Sequence, residues 1–287
     1  MSLPPDLTLR DATIDDIPAI GGLRASVGWG VSVWALRAVI GQPRARCLVA
    51  SEDTGHLAGV GSGIVYGPLG FVGNMIVAEA HRRRGVGSAI LEAVTAYLDA
   101  AGCTRLELNA TSDGRPLYER HGFRSLGRRA TARIPRDADL APDPDVAVRH
   151  GSSADMDAIA AYDTPRFGGD RRFLLELLVD EPGTTTLIVE GSDGIAGYGC
   201  VRVDEARIGP ILAEAPSIAS ALLQHSFGLV RSAPEFRLNL PPNNRAGAAW
   251  LEQLGVSVEP WDGRMGRGTL VQRRDETIYG MTMGALG

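Results

Sequence analysis

Three short segments of this 287-residue chain recur in its second half, in the same order. Leu9-Arg10 with Asp16-Ile17-Pro18-Ala19-Ile20 returns 139 residues later as Val148-Arg149 with Asp155-Met156-Asp157-Ala158-Ile159. Arg105-Leu106-Glu107-Leu108 returns as Arg237-Leu238-Asn239-Leu240, and Glu119 with Gly122 as Glu252 with Gly255, at spacings of 132 and 133. Ordered anchors at nearly constant spacing predict a duplicated fold. The boundary is expected in Pro135-Arg-Asp-Ala-Asp-Leu-Ala-Pro-Asp-Pro-Asp145, whose prolines and aspartates suit neither helix nor central strand. This gives domains at 1–134 and 146–287, joined by a linker at 135–145.

Within the first half, Leu7 to Asp11 reads as a strand, and Thr13 with Asp15 and Asp16 as the cap and first turn of a helix. Another helix is expected near Val31 to Ile40. Strands at Cys47 to Ser51, Ala58 to Tyr66 and Phe71 to Ala78 should form an antiparallel meander. From Gly85 the apolar spacing becomes helical through Val86, Ile90, Leu91, Val94 and Leu98, stopping at Gly102. Arg105 to Asn109 is the next strand, Arg115 to His121 a short helix, and Phe123 onward a final strand.

Composition narrows the function. A net charge of -5 gives no electrostatic footprint for nucleic acid or an anionic membrane. The start of the sequence has no signal-like apolar segment and no run approaches a membrane span, which points to a cytoplasmic protein. Cys47, Cys103 and Cys200 stand apart in apolar surroundings and read as buried thiols, with neither disulfide nor zinc site. All 29 basic residues are arginine, so a lysine-bearing P-loop and Schiff-base chemistry are both excluded. There is no G-x-S-x-G, and no pair of histidines at metal-ligand spacing.

The chemistry concentrates where a strand ending near Val77 meets a short loop and then Arg82-x-x-Gly85-x-Gly87 at the start of a long helix. Unpaired amides at a helix start, the helix dipole and close backbone approach at glycine together make an anion site that suits a pyrophosphate. The Rossmann fingerprint fails, because Ile90 stands where its last glycine is required.

These residues resemble the GNAT superfamily of N-acetyltransferases, whose motif Q/R-x-x-G-x-G/A stands here as Arg82-Arg83-Arg84-Gly85-Val86-Gly87, followed by Ser88. A second signature is similar too: Asn109 ends the next strand, and Leu117-Tyr118-Glu119-Arg120-His121-Gly122-Phe123 matches the family's short helix. The resemblance covers roughly residues 5 to 134. It implies an α/β (α+β) chain of two tandem GNAT folds, each a mixed, mostly antiparallel twisted sheet flanked by helices. It also implies acyl transfer from acetyl-CoA, as co-substrate and without a metal, to the amine of a small molecule.

In that reading the backbone from Arg82 to Ser88 holds the pyrophosphate. Met75, Ile76 and Val77 pair with the pantetheine arm, an amide near Val77 polarises the thioester carbonyl, and Asn109 belongs to the same site. Tyr118 protonates the departing thiolate, a role suited to a phenol whose ordinary pKa is near 10. Glu107, which shares a strand face with Asn109, is the candidate base beside Glu79 and Asp113. His81 and His121 read as surface or packing residues.

The second half lacks the motif: its corresponding helix opens on Ala213-Glu214-Ala215-Pro216, and Leu251 stands in the place of Tyr118. Phe167-Gly-Gly-Asp-Arg-Arg-Phe173 resembles a segment of a bacterial class of tandem GNAT proteins. This half is expected to be non-catalytic, serving either acceptor choice through Asp170, Arg171 or Arg172, or as scaffold or homodimer surface. Two alternatives stay open, a non-catalytic CoA-binding regulatory module and an acyltransferase similar to mycothiol synthase.

Overall fold

The computed structural model describes residues 3–140, 143–242 and 244–287. Both repeats open on one device. After β1 (Thr8–Asp11) the Asp16 carboxylate accepts the Thr13 N–H at 2.8 Å and a two-pronged Arg10 guanidinium at 2.7 and 2.8 Å. In the second repeat Asp155 accepts the Ser152 N–H at 2.8 Å and an Arg149 nitrogen at 2.7 Å. The recurring Arg and Asp are therefore an ion pair that anchors a helix start to the preceding strand.

The first repeat continues through α1 (Ile17–Ser26), α2 (Val33–Arg37), β2 (Ala45–Ser51), β3 (Leu57–Tyr66), β4 (Leu69–Val77) and α3 (Val86–Ala100). It closes with β5 (Arg105–Asn109), α4 (Arg115–Arg120) and the two-residue β6 (Arg124–Ser125). Next come β7 (Arg129–Pro135) and the second repeat: β8 (Val148–Gly151), α5 (Met156–Phe167), α6 (Arg172–Val179), β9 (Thr184–Gly191), β10 (Gly194–Arg202), β11 (Arg207–Ala213), α7 (Pro216–Leu229), β12 (Glu235–Leu240), α8 (Arg245–Gln253) and β13 (Val258–Trp261). Two short strands follow, β14 (Arg264–Gly268) and β15 (Ile278–Gly280). From β8 to β13 the element order repeats that of β1 to β6.

The compact units do not follow the expected continuous boundaries. One contains the chain up to Arg124 plus Met265–Val271 and Gly284–Gly287, and the other Ser125–Arg264 plus Gln272–Met283. The cause is a strand exchange. In the first unit's sheet, ordered β1-β2-β3-β4-β5-β14-β6, the slot between β5 and β6 is filled by β14. The equivalent slot of the second unit, between β12 and β13, is filled by β7. Ala132 and Ile134 of β7 are fully buried in the second core, and Met265 of β14 in the first. The stretch expected as a linker is partly structured as well: β7 runs to Pro135 and Leu140 is buried in the second core, while residues 141 and 142 lie outside the described residues. The second unit also holds the five-stranded sheet β15-β11-β10-β9-β8.

In the first unit, α3 lies unusually close to β3 because Gly59, Gly61 and Gly63 alternate along the face that meets it. A β-carbon at Gly61 would come within 2.5 Å of both Ile90 Cγ2 and Met75 Sδ, and one at Gly63 within 3.0 Å of Val94. Ile90, Val94 and Leu98, at helical spacing, fill that track and are fully buried.

The strand β4 is the irregular one. Against β3 its register shifts between the Val60–Ile76 and Ser62–Gly73 pairs, so Asn74 and Met75 face the single residue Gly61, and Asn74 takes the left-handed conformation with φ 53°. Its parallel pairing with β5 ends at Val72 and Leu108. From Gly73 to Val77 β4 continues with β3 alone. The two central strands therefore part, leaving one backbone edge of β4 open.

Candidate active site

The loop from β4 to α3 carries the predicted anion site. Gly85 is the N-cap of α3 with φ 88°, a left-handed conformation that glycine adopts without strain, and no side chain caps the helix start. The first intrahelical bond runs from the Ala89 N–H to the Gly85 carbonyl, so the amides of Val86, Gly87 and Ser88 have no acceptor within the helix. Open amides, the positive end of a 15-residue helix and a cap without a β-carbon fit a pyrophosphate group.

The three arginines separate in role. Arg82 turns back and donates from Nε to the Val77 carbonyl at 3.3 Å, pinning the loop to the end of β4. Arg84 is paired with Asp6 at 2.7 Å and contacts His81. Arg83 is exposed, with φ 60°. His81 also meets Glu52 at 3.1 Å, and His121 is held by the Leu117 carbonyl at 2.9 Å and by Glu92.

Three predicted parts converge on Gly87. A β-carbon there would touch Val77 of β4 and Leu117 of α4, each at 3.4 Å, so this glycine brings together the end of β4, the start of α3 and the helix bearing Tyr118. The Ala78 N–H is bonded to the Ala58 carbonyl of β3. By strand alternation the Val77 N–H points to the other edge, where β4 has parted from β5.

Tyr118 is 5% exposed and packs edge-on against Phe123, and burial pushes its phenol far above the ordinary value. It therefore keeps its proton at rest.

Glu107 is not available as a base. It is 1% exposed, sits beside Phe71 in the paired part of the sheet, and forms an ion pair with Arg105 Nε at 3.1 Å. Buried and already paired with a guanidinium, this carboxylate is a structural partner of Arg105 and is not open to an incoming substrate. Glu79 and Asp113 are exposed. Asn109 Nδ2 donates to the Gly284 carbonyl at 2.7 Å, so this amide contacts the far end of the chain.

A buried cluster that local sequence patterns did not flag holds the β4 irregularity. Arg24 of α1, 6% exposed, donates from Nη1 to Asn74 Oδ1 at 2.5 Å and from Nε to the Gly30 carbonyl at 3.0 Å, and it lies over the Trp29 ring. Asn74 Nδ2 donates in turn to Ser62 Oγ at 3.0 Å. The available signal was an arginine directly after the apolar run Ile17-Pro-Ala-Ile-Gly-Gly-Leu23.

In the second unit the equivalent helix start also lacks a side-chain cap but carries different residues. Pro216 occupies the first turn of α7 and removes an N–H, while Glu214 stands just before it. Burial alone would raise the Glu214 carboxyl, yet Arg166 at 2.9 Å and Arg274 at 3.1 Å hold it below its usual range. Glu214, Arg166 and Tyr162 line a cavity of about 530 Å³. Arg171, expected to face a substrate, is 2% exposed and clamped to Asp163 at 2.7 and 2.8 Å, with Tyr198 on the same carboxylate. Arg172 pairs with Asp157 and Glu176, and Asp170 accepts the Arg172 N–H.

The three cysteines are buried and free, and burial pushes the Cys47 and Cys200 thiols up to about 12. No helix among the described residues is long and apolar enough to cross a membrane.

The arrangement is that of an acetyltransferase fold present twice, and comparison with known families agrees. An acetyltransferase (GNAT) family model matches residues 26–123, and an acetyltransferase (GNAT) domain model matches residues 159–280. The chain belongs to the GNAT superfamily, as a tandem member.

Among individual proteins, it is 28% identical over 162 residues to the uncharacterized N-acetyltransferase YitH of Bacillus subtilis (strain 168), a match spanning 55% of this chain and 56% of that protein. The chain thus matches little more than half the length of this curated relative. A crystal structure of a putative acetyltransferase from Pyrococcus horikoshii superposes with a TM-score of 0.82 at 22% identity, covering 100% of this chain and 98% of the other. A tandem GNAT protein from the clavulanic acid biosynthesis pathway superposes with a TM-score of 0.63 at 15% identity, covering 91% and 98%. At these identities the structural likeness concerns the fold.

Proposed function

We propose that the first unit binds acetyl-CoA along the open edge of β4 and the start of α3, and transfers the acetyl group to the amine of a small molecule. The observation that carries this reading is the uncapped start of α3 beside the parting of β4 and β5. Acetyl-CoA supplies a thioester carbonyl open to attack by an amine nitrogen. The amides of Val86 to Ser88 face its pyrophosphate, and Arg83 is the arginine left to contact phosphate oxygens. The open edge from Asn74 to Val77, apart from the Val77 carbonyl that Arg82 engages, offers backbone groups to the amides of the pantetheine arm, in the manner of an added strand. Met75 and Val77 pack toward α3 and make its apolar bed.

The Val77 N–H, directed to the same edge, stabilises negative charge developing on the carbonyl oxygen. As the new C–N bond forms and the C–S bond breaks, Tyr118 hands its proton to the leaving sulfur. No base is required of Glu107: an amine arriving unprotonated attacks directly, and the proton its nitrogen then sheds passes through water at the open edge to restore the Tyr118 phenol, so the step ends with amide, free thiol and neutral Tyr118. The second unit, with Glu214 and Pro216 at its helix start, binds no second acetyl-CoA.

Calorimetric titration with acetyl-CoA, followed by thiol release across a panel of primary amines, tests the proposal. One molecule of acetyl-CoA should bind per chain, and Tyr118→Phe should lower kcat about 10²-fold or more with little change in acetyl-CoA affinity. Binding without turnover of any amine would leave a CoA-binding regulatory module as the better description.

A further inference from the structure

The face of the first unit's sheet opposite α3 carries a feature that the acyl-transfer reading does not use. On the α3 side, Val72, Leu108, Ile90, Leu91 and Val94 are buried in one core, which closes that approach to the parting of β4 and β5. On the opposite face Phe71 and Asn74 are buried too, so an acceptor reaches the parting at its mouth, beside the half-buried Asn109.

Gly73 and Asn109 are the first residues beyond the last β4–β5 pair, and the segment Gly284–Leu286 is fixed across both. Asn109 Nδ2 donates to the Gly284 carbonyl at 2.7 Å. A β-carbon at Gly73 would lie 2.1 Å from the Ala285 carbonyl oxygen, so only glycine admits this crossing. Tyr66 on β3, fully buried, donates its hydroxyl to the Leu286 carbonyl at 2.6 Å, and Leu286 is itself fully buried. Gly284, by contrast, is exposed and Ala285 half-buried. The segment is thus anchored at one end and presents backbone and small side chains to solvent at the other, where the strands part.

We propose that Gly284–Leu286 forms one wall of the acceptor side of the acyl-transfer site and limits the size of the amine that reaches it. This rests on the acyl-transfer reading above. Its anchors, the Gly284 and Leu286 carbonyls, hold it in place, and its exposed side is backbone with no side chain larger than a methyl, so the selection it makes is by width. It favours an amine that is slim next to the nitrogen over one that is branched there.

Gly284→Phe in the full chain is the direct probe, because a β-carbon at this position meets only Asn109 Nδ2, at 3.9 Å, and has room to grow beside the β5 end. Linear and branched primary amines of increasing width serve as acceptors, with acetyl-CoA affinity measured separately. The expected result is an acetyl-CoA Kd within twofold of the unmodified protein. The kcat/KM for the widest accepted amine should fall at least tenfold, and that for the slimmest less than threefold. Deleting residues 284–287, or releasing the anchor with Tyr66→Phe, should shift preference toward wider amines; if the deletion does not fold, the two point variants decide. An equal change for every amine, or none, with acetyl-CoA binding and turnover intact, overturns the wall while leaving acyl transfer standing. No amine acetylated by the unmodified protein removes both.

Discussion

The starts of α3 and α7 occupy the same place in a repeated fold, yet their residues differ in what they offer an anion. At α3 the cap is a left-handed glycine, the first-turn amides are open and Arg83 is exposed. At α7 a proline removes one donor, and the residue before the cap is Glu214, a carboxylate held by two arginines. The two scaffolds differ little in element order, so the contrast teaches that the fold delivers a helix terminus and a handful of residues decide whether it is a site.

The most drastic way to break the comparison is to separate the units. A cut between residues 135 and 145 removes β14 from the first sheet and β7 from the second, so the fragment 1–145 should show no cooperative thermal unfolding by circular dichroism, alone and at any salt concentration. A fragment that melts like a domain would contradict the exchange. Next in size is Gly87→Glu. Its β-carbon already meets Val77 and Leu117, and a negative charge at the helix start competes with phosphate for the first-turn amides, so acetyl-CoA should bind at least about 100-fold more weakly by calorimetry. Glu214→Gln, at the equivalent place in the second unit, should change that affinity less than twofold.

Asp163→Ala strikes the second unit alone. It strands the Arg171 guanidinium in a site 2% exposed, and should cost about 3–5 kcal/mol in urea unfolding while acetyl-CoA affinity stays within twofold. The smallest effect belongs to the duplicated ion pair. Hydrogen bonding from Arg10 holds the Asp16 carboxyl down at about 2, against about 3.9 in an unfolded chain. Its stabilisation is complete above that unfolded value and is lost as pH falls through about 2. Asp16→Asn should therefore be destabilised relative to the unmodified protein at pH 6, by about 1 kcal/mol or less because Arg10 is 40% exposed, and the gap should shrink toward pH 2. Asp155→Asn should follow the same trend.

Much of this was legible from local signals. The meander, the long helix and the Arg82–Ser88 loop are specified by residues near one another in sequence, and the recurrence of Arg10 and Asp16 pointed to the duplication, while their pairing is what the structure adds. What failed was long-range or depended on burial. Nothing in Arg129-Ala-Thr-Ala-Arg-Ile-Pro135 distinguishes pairing with β12 from pairing with β5, since both partners alternate in the same way. Glu107 looked like a base because strand periodicity brought it to Asn109, but the same periodicity brings it to Arg105, the stronger partner. The engagement of Asn109 by Gly284, 175 residues away, leaves no trace in either neighbourhood.

The strand exchange also sets a timetable. During synthesis the slot between β5 and β6 stays empty until β14 has been made, roughly 140 residues after β6, or on the order of ten to thirty seconds at the usual pace of translation. Through that interval β5 is an exposed strand edge, a template for mispairing with other nascent chains. Arg105 and Glu107, charged residues that the finished protein buries, lie along that same strand and make it a poor surface for apolar association while it waits.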